Sequence, residues 1–193
     1  MGERVIMNRE ILFKAKRKDW EELPKDQWWV EGDLLHMRYG DIVLINNFED
    51  QLFRCDGNMV CQFTGLHDNT KWGDLTEAEK ESFLSDWNYR EDRKNKIEDW
   101  SGKKIWENDI LRGHGNDDDL AKVVFGEFNV IDVETHEKVD RVIGWHTKVI
   151  ETDVLSKCEP FCLPMPLTDF YIKQCEYEVV KNVFDNPELL EME

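Results

Sequence analysis

A chain of 193 residues with a formal net charge of −17 is long enough to bury a real core as one ordinary domain, and its eight Trp and ten Phe set it apart from acidic chains that stay disordered. Such bulk acidity disfavours direct nucleic-acid binding, which rests on a basic face. Five Cys, an odd number, fit reduced thiols in a cytoplasm rather than a disulfide scaffold. Residues 1–30 are nearly neutral and carry one small basic patch, Lys14-Ala15-Lys16-Arg17-Lys18. No signal peptide is read in Met1–Leu12, and no stretch approaches the roughly 20 apolar residues of a membrane span.

In chain order, Glu10–Lys16 alternates Ile11, Phe13 and Ala15 against Leu12, Lys14 and Lys16, which predicts a strand with one buried face. A polar loop follows over Asp19–Asp26. Gln27–Met37 reads as strand, corner at Gly32, strand. Tyr39-Gly40-Asp41 is a turn, Ile42–Ile45 a short apolar strand, Asn46–Gln51 a loop and Met59–Phe63 another strand, with Thr64-Gly65-Leu66 as its corner. Short strands cut by Gly and Asp corners predict a mainly β, barrel-like or sandwich domain.

The character changes at Lys71. Thr76 and Glu79 form a capping-box signature, and Phe83, Leu84 and Trp87 share one helical stripe. This predicts a helix from about Glu77 to Tyr89 and a frayed helical segment on to Asp99. The expected organisation is a single domain over 1–193 with a helical insertion at 70–100. The helix packs on the outside of the β domain, or else Phe83 and Trp87 serve as an arm toward another subunit.

Ser101–Leu111 reads as a turn, a strand at Ile105-Trp106, a tight corner at Asn108-Asp109 and a second strand at Ile110-Leu111. Gly113–Asp119 is an acidic loop. Leu120–Val130 is a long strand with a bulge expected at Gly126, and Val142–Val149 is another. Lys157–Pro166 is a Pro-rich loop, Tyr177–Phe184 a last strand, and Pro187 opens a short terminal helix.

Four pieces, taken together and in order, resemble the YopX-like proteins of bacteriophages and prophages. They are Arg9–Ala15, Gln62–Asp68, Gly102–Ile110 and Val179–Leu190. The resemblance implies a mainly β, barrel-like fold, a phage or prophage origin and no site residues. Asn108 and Lys181 stand where the family pattern carries Gly. Asn tolerates a positive φ, so the central corner is expected to survive. A positive-φ turn at Lys181 is not.

No catalytic, cofactor or metal residue is assigned. Cys158, Cys162 and Cys175 fit a zinc site poorly, because three residues separate the first pair. His114 with Asp117, Asp118 and Asp119 lacks a calcium-loop spacing and reads as a solvated loop. His136 and His146 have no nucleophile paired with them. Glu107 and Asp109 sit at the central corner, where Asp109 is expected to bond N–H groups of its own turn rather than do acid–base chemistry. The reading is a cytoplasmic accessory protein that acts without catalysis, through contacts with an unidentified protein or a second copy of itself. The alternatives are an acidic DNA mimic that occupies a nucleic-acid-binding protein, and a metal-dependent enzyme.

Overall fold

The computed structural model describes residues 11–36, 42–46, 51–88, 91–132, 134–135 and 137–189. The architecture is mainly β, as the sequence predicts, but the strands divide among three antiparallel sheets and form no closed barrel among the described residues. By internal contacts the chain separates into two compact units, residues 1–65 and 66–193.

The first unit is built on β1 (Phe13–Arg17), β2 (Trp29–His36), β3 (Ile42–Asn46) and the start of β4 (Gln51–His67). β1 uses both of its edges. It pairs with β2 from Phe13↔Gly32 to Lys16↔Trp29, and with β4 from Phe13↔Gln62 to Arg17↔Cys55. β3 pairs with β2 and with the first residues of β4. Ala15 and Cys55 are buried, with Phe13, Val30, Leu34, Phe53 and Val60 packed around them.

Two expectations for this unit need correction. Gly32 is not a corner, because β2 runs straight through it opposite Phe13. Nor does the strict alternation expected over Glu10–Lys16 hold: Ile11, ahead of β1, is exposed, and Lys16 within it is buried. The reason lies in the loop after β1, which forms two single-turn 3₁₀ segments, Trp20–Glu22 and Lys25–Gln27. They bring Trp20 and Trp28 over Lys16 Nζ, 3.9 and 4.3 Å from the ring centroids, and the aromatic faces receive the ammonium. The turn expected at Tyr39–Asp41 lies outside the described residues.

In the second unit the chain leaves Asp68 on an excursion and returns at Lys103. It contains α1 (Glu77–Ser85), β5 (Trp87–Asn88) and β6 (Arg93–Lys94), with β5 and β6 paired as a hairpin. The capping box is present: Thr76 Oγ1 accepts from Glu79 N–H and Glu79 Oε2 accepts from Thr76 N–H. The helix ends four residues sooner than expected, and among the described residues the only helical piece beyond it before Asp99 is a single 3₁₀ turn, Ile97–Asp99. Asp86 is extended, and its amide still donates back to Ser82 and Phe83. Asn95 then takes over the helix end, its side chain donating to Phe83 O and its amide to Asp86 O. Arg93 clamps Asp99 with a two-pronged ion pair at 2.6 and 2.8 Å, and this holds the Asp99 carboxyl well below its usual range. A segment of charges with no apolar stripe has nothing to bury as a helix, and these turn contacts win.

β7 (Lys104–Trp106) and β8 (Asp109–Arg112) follow, then β9 (Leu120–Ile131), β10 (Lys138–Val149), β11 (Met165–Pro166), α2 (Asp169–Gln174) and β12 (Glu178–Asn182). The main sheet of the unit has the order β11-β10-β9-β8-β12, and all its pairings are antiparallel. Ile105, Leu111, Val123, Leu167, Ile172 and Tyr177 form its core, and Ile110, Leu120, Ile150 and Val183 form a second cluster. Burial also pushes the Tyr177 phenol above its ordinary pKa. The bulge expected at Gly126 is absent: Gly126 faces Gly144 in unbroken register, and the irregularity falls between Lys138 and Asp140. Lys181 is not at positive φ and instead borders a register shift in β12. The short terminal helix is a 3₁₀ turn, Pro187–Leu189.

Candidate interaction surface

Two buried carboxylates hold the second unit together, and both are structural. Asp68 Oδ1 accepts from the amides of Thr70 and Lys103, and Oδ2 accepts from Thr70 Oγ1 and the amide of Val179. Asp68 N–H also donates to Lys103 O. Thr64-Gly65-Leu66, expected to be a corner, instead lies within β4, with Gly65 at φ 85°. Asp109 Oδ2 accepts from Trp106 N–H of its own turn, and Oδ1 accepts from Asn182 Nδ2. Asn182 Oδ1 passes the connection on to Phe184 N–H. Each carboxylate is bonded within the fold to donors of its own unit. Asn108, next to Asp109, has φ 65°, the left-handed conformation its type allows.

The remaining candidates are dispersed. No group of three His, Cys, Asp or Glu able to hold a metal forms among the described residues. Cys158 is exposed, with Sγ 3.2 Å from Val154 O, and Cys162 is half-buried. Cys175 lies against the core, where burial raises its thiol pKa. His114 sits at φ 51° in the acidic loop, and Asp117 pairs with Arg112. His136 lies outside the described residues. Phe83 does not reach outward as an arm: it packs edge-to-face on Trp72 and Trp100, at 5.7 and 5.0 Å. In the basic patch, Arg17 is clamped on Asp19 and Lys16 is enclosed, leaving a shallow cleft of about 410 Å³ bordered by Arg17, Lys18 and Arg54.

The surface that stands out is the outer half of the β9–β10 ribbon. At its base, Val123 and Thr147 are buried, flanked by β8 on one side and β11 on the other. Beyond them neither strand pairs with a further strand among the described residues, although Trp145 still packs on the core and its carbonyl accepts Leu167 N–H. Register places Phe125 opposite Trp145, and Glu127 opposite Ile143, all on one face. The Phe125 and Trp145 rings meet edge-to-face at 5.0 Å. Phe125 is nevertheless 55% exposed and Ile143 72% exposed. Glu127 and Arg141 form an ion pair diagonally across the same face. On the opposite face, Phe128 stacks on His146 at 4.5 Å, and Gly126 and Gly144 face each other. The Phe125–Ile143 face escaped the sequence reading because the two strands were recognised but not paired with each other. The facing glycines, Gly126 and Gly144, were the signal that could have aligned them.

Residues 96–191 match the family model described as YopX protein. The YopX match contains the central corner, the whole β9–β10 ribbon and the closing Val179–Leu190 piece. The Arg9–Ala15 and Gln62–Asp68 pieces lie outside it. No curated protein matches the chain. Among the described residues, no helix is long and apolar enough to cross a membrane.

Proposed function

We propose that the chain is a phage- or prophage-encoded accessory protein of the YopX type, working in the host cytoplasm through protein–protein contacts and without catalysis. The observation that carries this reading is the pair of large apolar side chains, Phe125 and Ile143, held in the open on a ribbon that extends past its own core. A two-stranded ribbon is marginal by itself, and an exposed apolar face on one marks a contact surface. The match over 96–191 supports the family, and the net charge of −17 supports a protein rather than a nucleic acid as the partner.

The test is capture from host lysate with the wild-type chain and with a Phe125→Asp/Ile143→Asp variant. Both side chains are exposed, so the variant is expected to melt like the wild type and to lose the captured protein. Equal capture by a folded variant would remove the ribbon face from consideration.

A further inference from the structure

The outer edge of β10 carries a second pattern. β11 covers that edge only at His146 and Thr147, and Leu167 N–H reaches Trp145 O. From Lys138 to Gly144 no strand among the described residues lies against it. Glu137, Lys138, Val139, Asp140 and Arg141 are all exposed, and Val139 is 66% exposed without a partner on β9. An open strand edge is a template for another strand, and proteins commonly protect it with charged side chains. Here the signs alternate about Val139 as acid, base, apolar, acid, base. In an antiparallel self-pairing centred on Val139, Glu137 faces Arg141 of the other copy and Lys138 faces Asp140. Every charged residue then opposes one of opposite sign.

We propose that a second copy of this chain pairs edge-to-edge with β10 across a two-fold axis through Val139, making a continuous sheet of the two ribbons. The arrangement is isologous and closes on itself, as a two-fold contact must. The proposal rests on the reading of the ribbon as a contact surface and names its partner. It places that contact on the strand edge, leaving the Phe125–Ile143 face free.

The test is sedimentation velocity on a dilution series of the full chain. The wild type is expected to dimerise. Lys138→Asp alone puts Asp opposite Asp140 at both symmetry-related positions, and Asp140→Lys alone puts Lys opposite Lys138. Each should weaken the dimer on the order of tenfold. The double variant Lys138→Asp/Asp140→Lys restores opposite signs and should recover wild-type affinity. Arg141 is left unchanged because its guanidinium pairs with Glu127 inside its own ribbon; among the described residues Asp140 Oδ1 accepts only the neighbouring Arg141 N–H.

A second measurement does not depend on affinity. Val139→Cys lies opposite its own copy, within the Cα separation a disulfide spans, and should form a covalent dimer under mild oxidant. Ile143→Cys is off the axis and should not. A wild type monomeric at every concentration, a double variant no tighter than the singles, or equal crosslinking at 139 and 143 would each overturn the proposal. None of these results bears on capture through Phe125 and Ile143, so failure of the dimer and failure of the contact reading are separately visible.

Discussion

Asp68 Oδ2 accepts the amide of Val179 at 2.8 Å across 111 residues of sequence, while Oδ1 accepts the amide of Lys103 at 2.7 Å. One buried carboxylate therefore ties the start of the excursion, its end and the last strand of the main sheet.

Replacing Asp68 by Ala leaves three amides, those of Thr70, Lys103 and Val179, and the Thr70 hydroxyl without their acceptor in a buried site. The expected loss of stability is about 3 kcal/mol, because a hydrogen bond to a charged group is worth more than a neutral one and orphaned donors carry their own penalty. Asp68→Asn keeps one oxygen and turns an amide N–H2 toward the other donors, and should lose about half as much. Urea denaturation of the three proteins checks both. An Asp68→Ala protein as stable as the wild type would show that the carboxylate is not the tie described.

Gly102 and Asn108 differ in why they sit at positive φ. Gly102 has φ 106°, and a Cβ there would stand 2.1 Å from Asp68 O. Gly102→Ala should cost more than about 3 kcal/mol, since the backbone at Asp68 has to move. Asn108 at φ 65° lies in the left-handed well, where Asn108→Gly should change stability by less than about 0.5 kcal/mol and Asn108→Ala should cost about 1 kcal/mol. Thermal melts of the three variants give the ranking directly.

What the sequence disclosed was local. The Thr76–Glu79 box and the Asp109 turn depend on residues three apart, so their types and spacing suffice. Ile105 and Leu111 were recognisable as core strand residues for the same reason. The burial of Lys16 depends on Trp20 and Trp28 folding back over it, and no alternation pattern reports that. Gly32 and Gly126 looked like breaks, yet each sits within a regular pair, because glycine marks a lack of side chain as readily as a bend. α2, six residues capped by Thr168, was too short to show a helical period. The exposed ribbon needed the partner of each strand, which is a long-range fact.

Glu79 makes α1 sensitive to acid. Desolvation raises its pKa, but hydrogen bonds from Lys103 Nζ and from Thr76 outweigh that and bring it down to about 2, against 4.5 for the free side chain. A carboxyl whose folded pKa is depressed stabilises fully above its unfolded value and loses that contribution as pH falls from 4.5 toward 2. Wild type should therefore melt higher than Glu79→Gln near neutral pH, and the gap should close over that window. The side chain is partly open to solvent, so the gap is small. A gap constant with pH would assign the difference to hydrogen-bond geometry and not to charge.

Deleting Lys71–Asp99 tests whether the excursion is separable from the β framework it leaves. The two bonds between Asp68 and Lys103 lie outside the deleted stretch, and so does every member of the two apolar clusters described above, although buried Leu75 goes with it. Trp100 Nε1 already donates to Thr70 O at 2.8 Å, so joining residue 70 to residue 100 spans a short gap. The shortened chain loses the Trp72 and Phe83 contacts on Trp100 and the Glu79–Lys103 ion pair, which together lower stability without touching the sheet. It should still unfold in one cooperative transition, at a lower temperature than the full chain. A broad, non-cooperative melt would mean that the Trp72, Phe83 and Trp100 cluster is a required part of the framework, and that the segment cannot be treated as an addition to it.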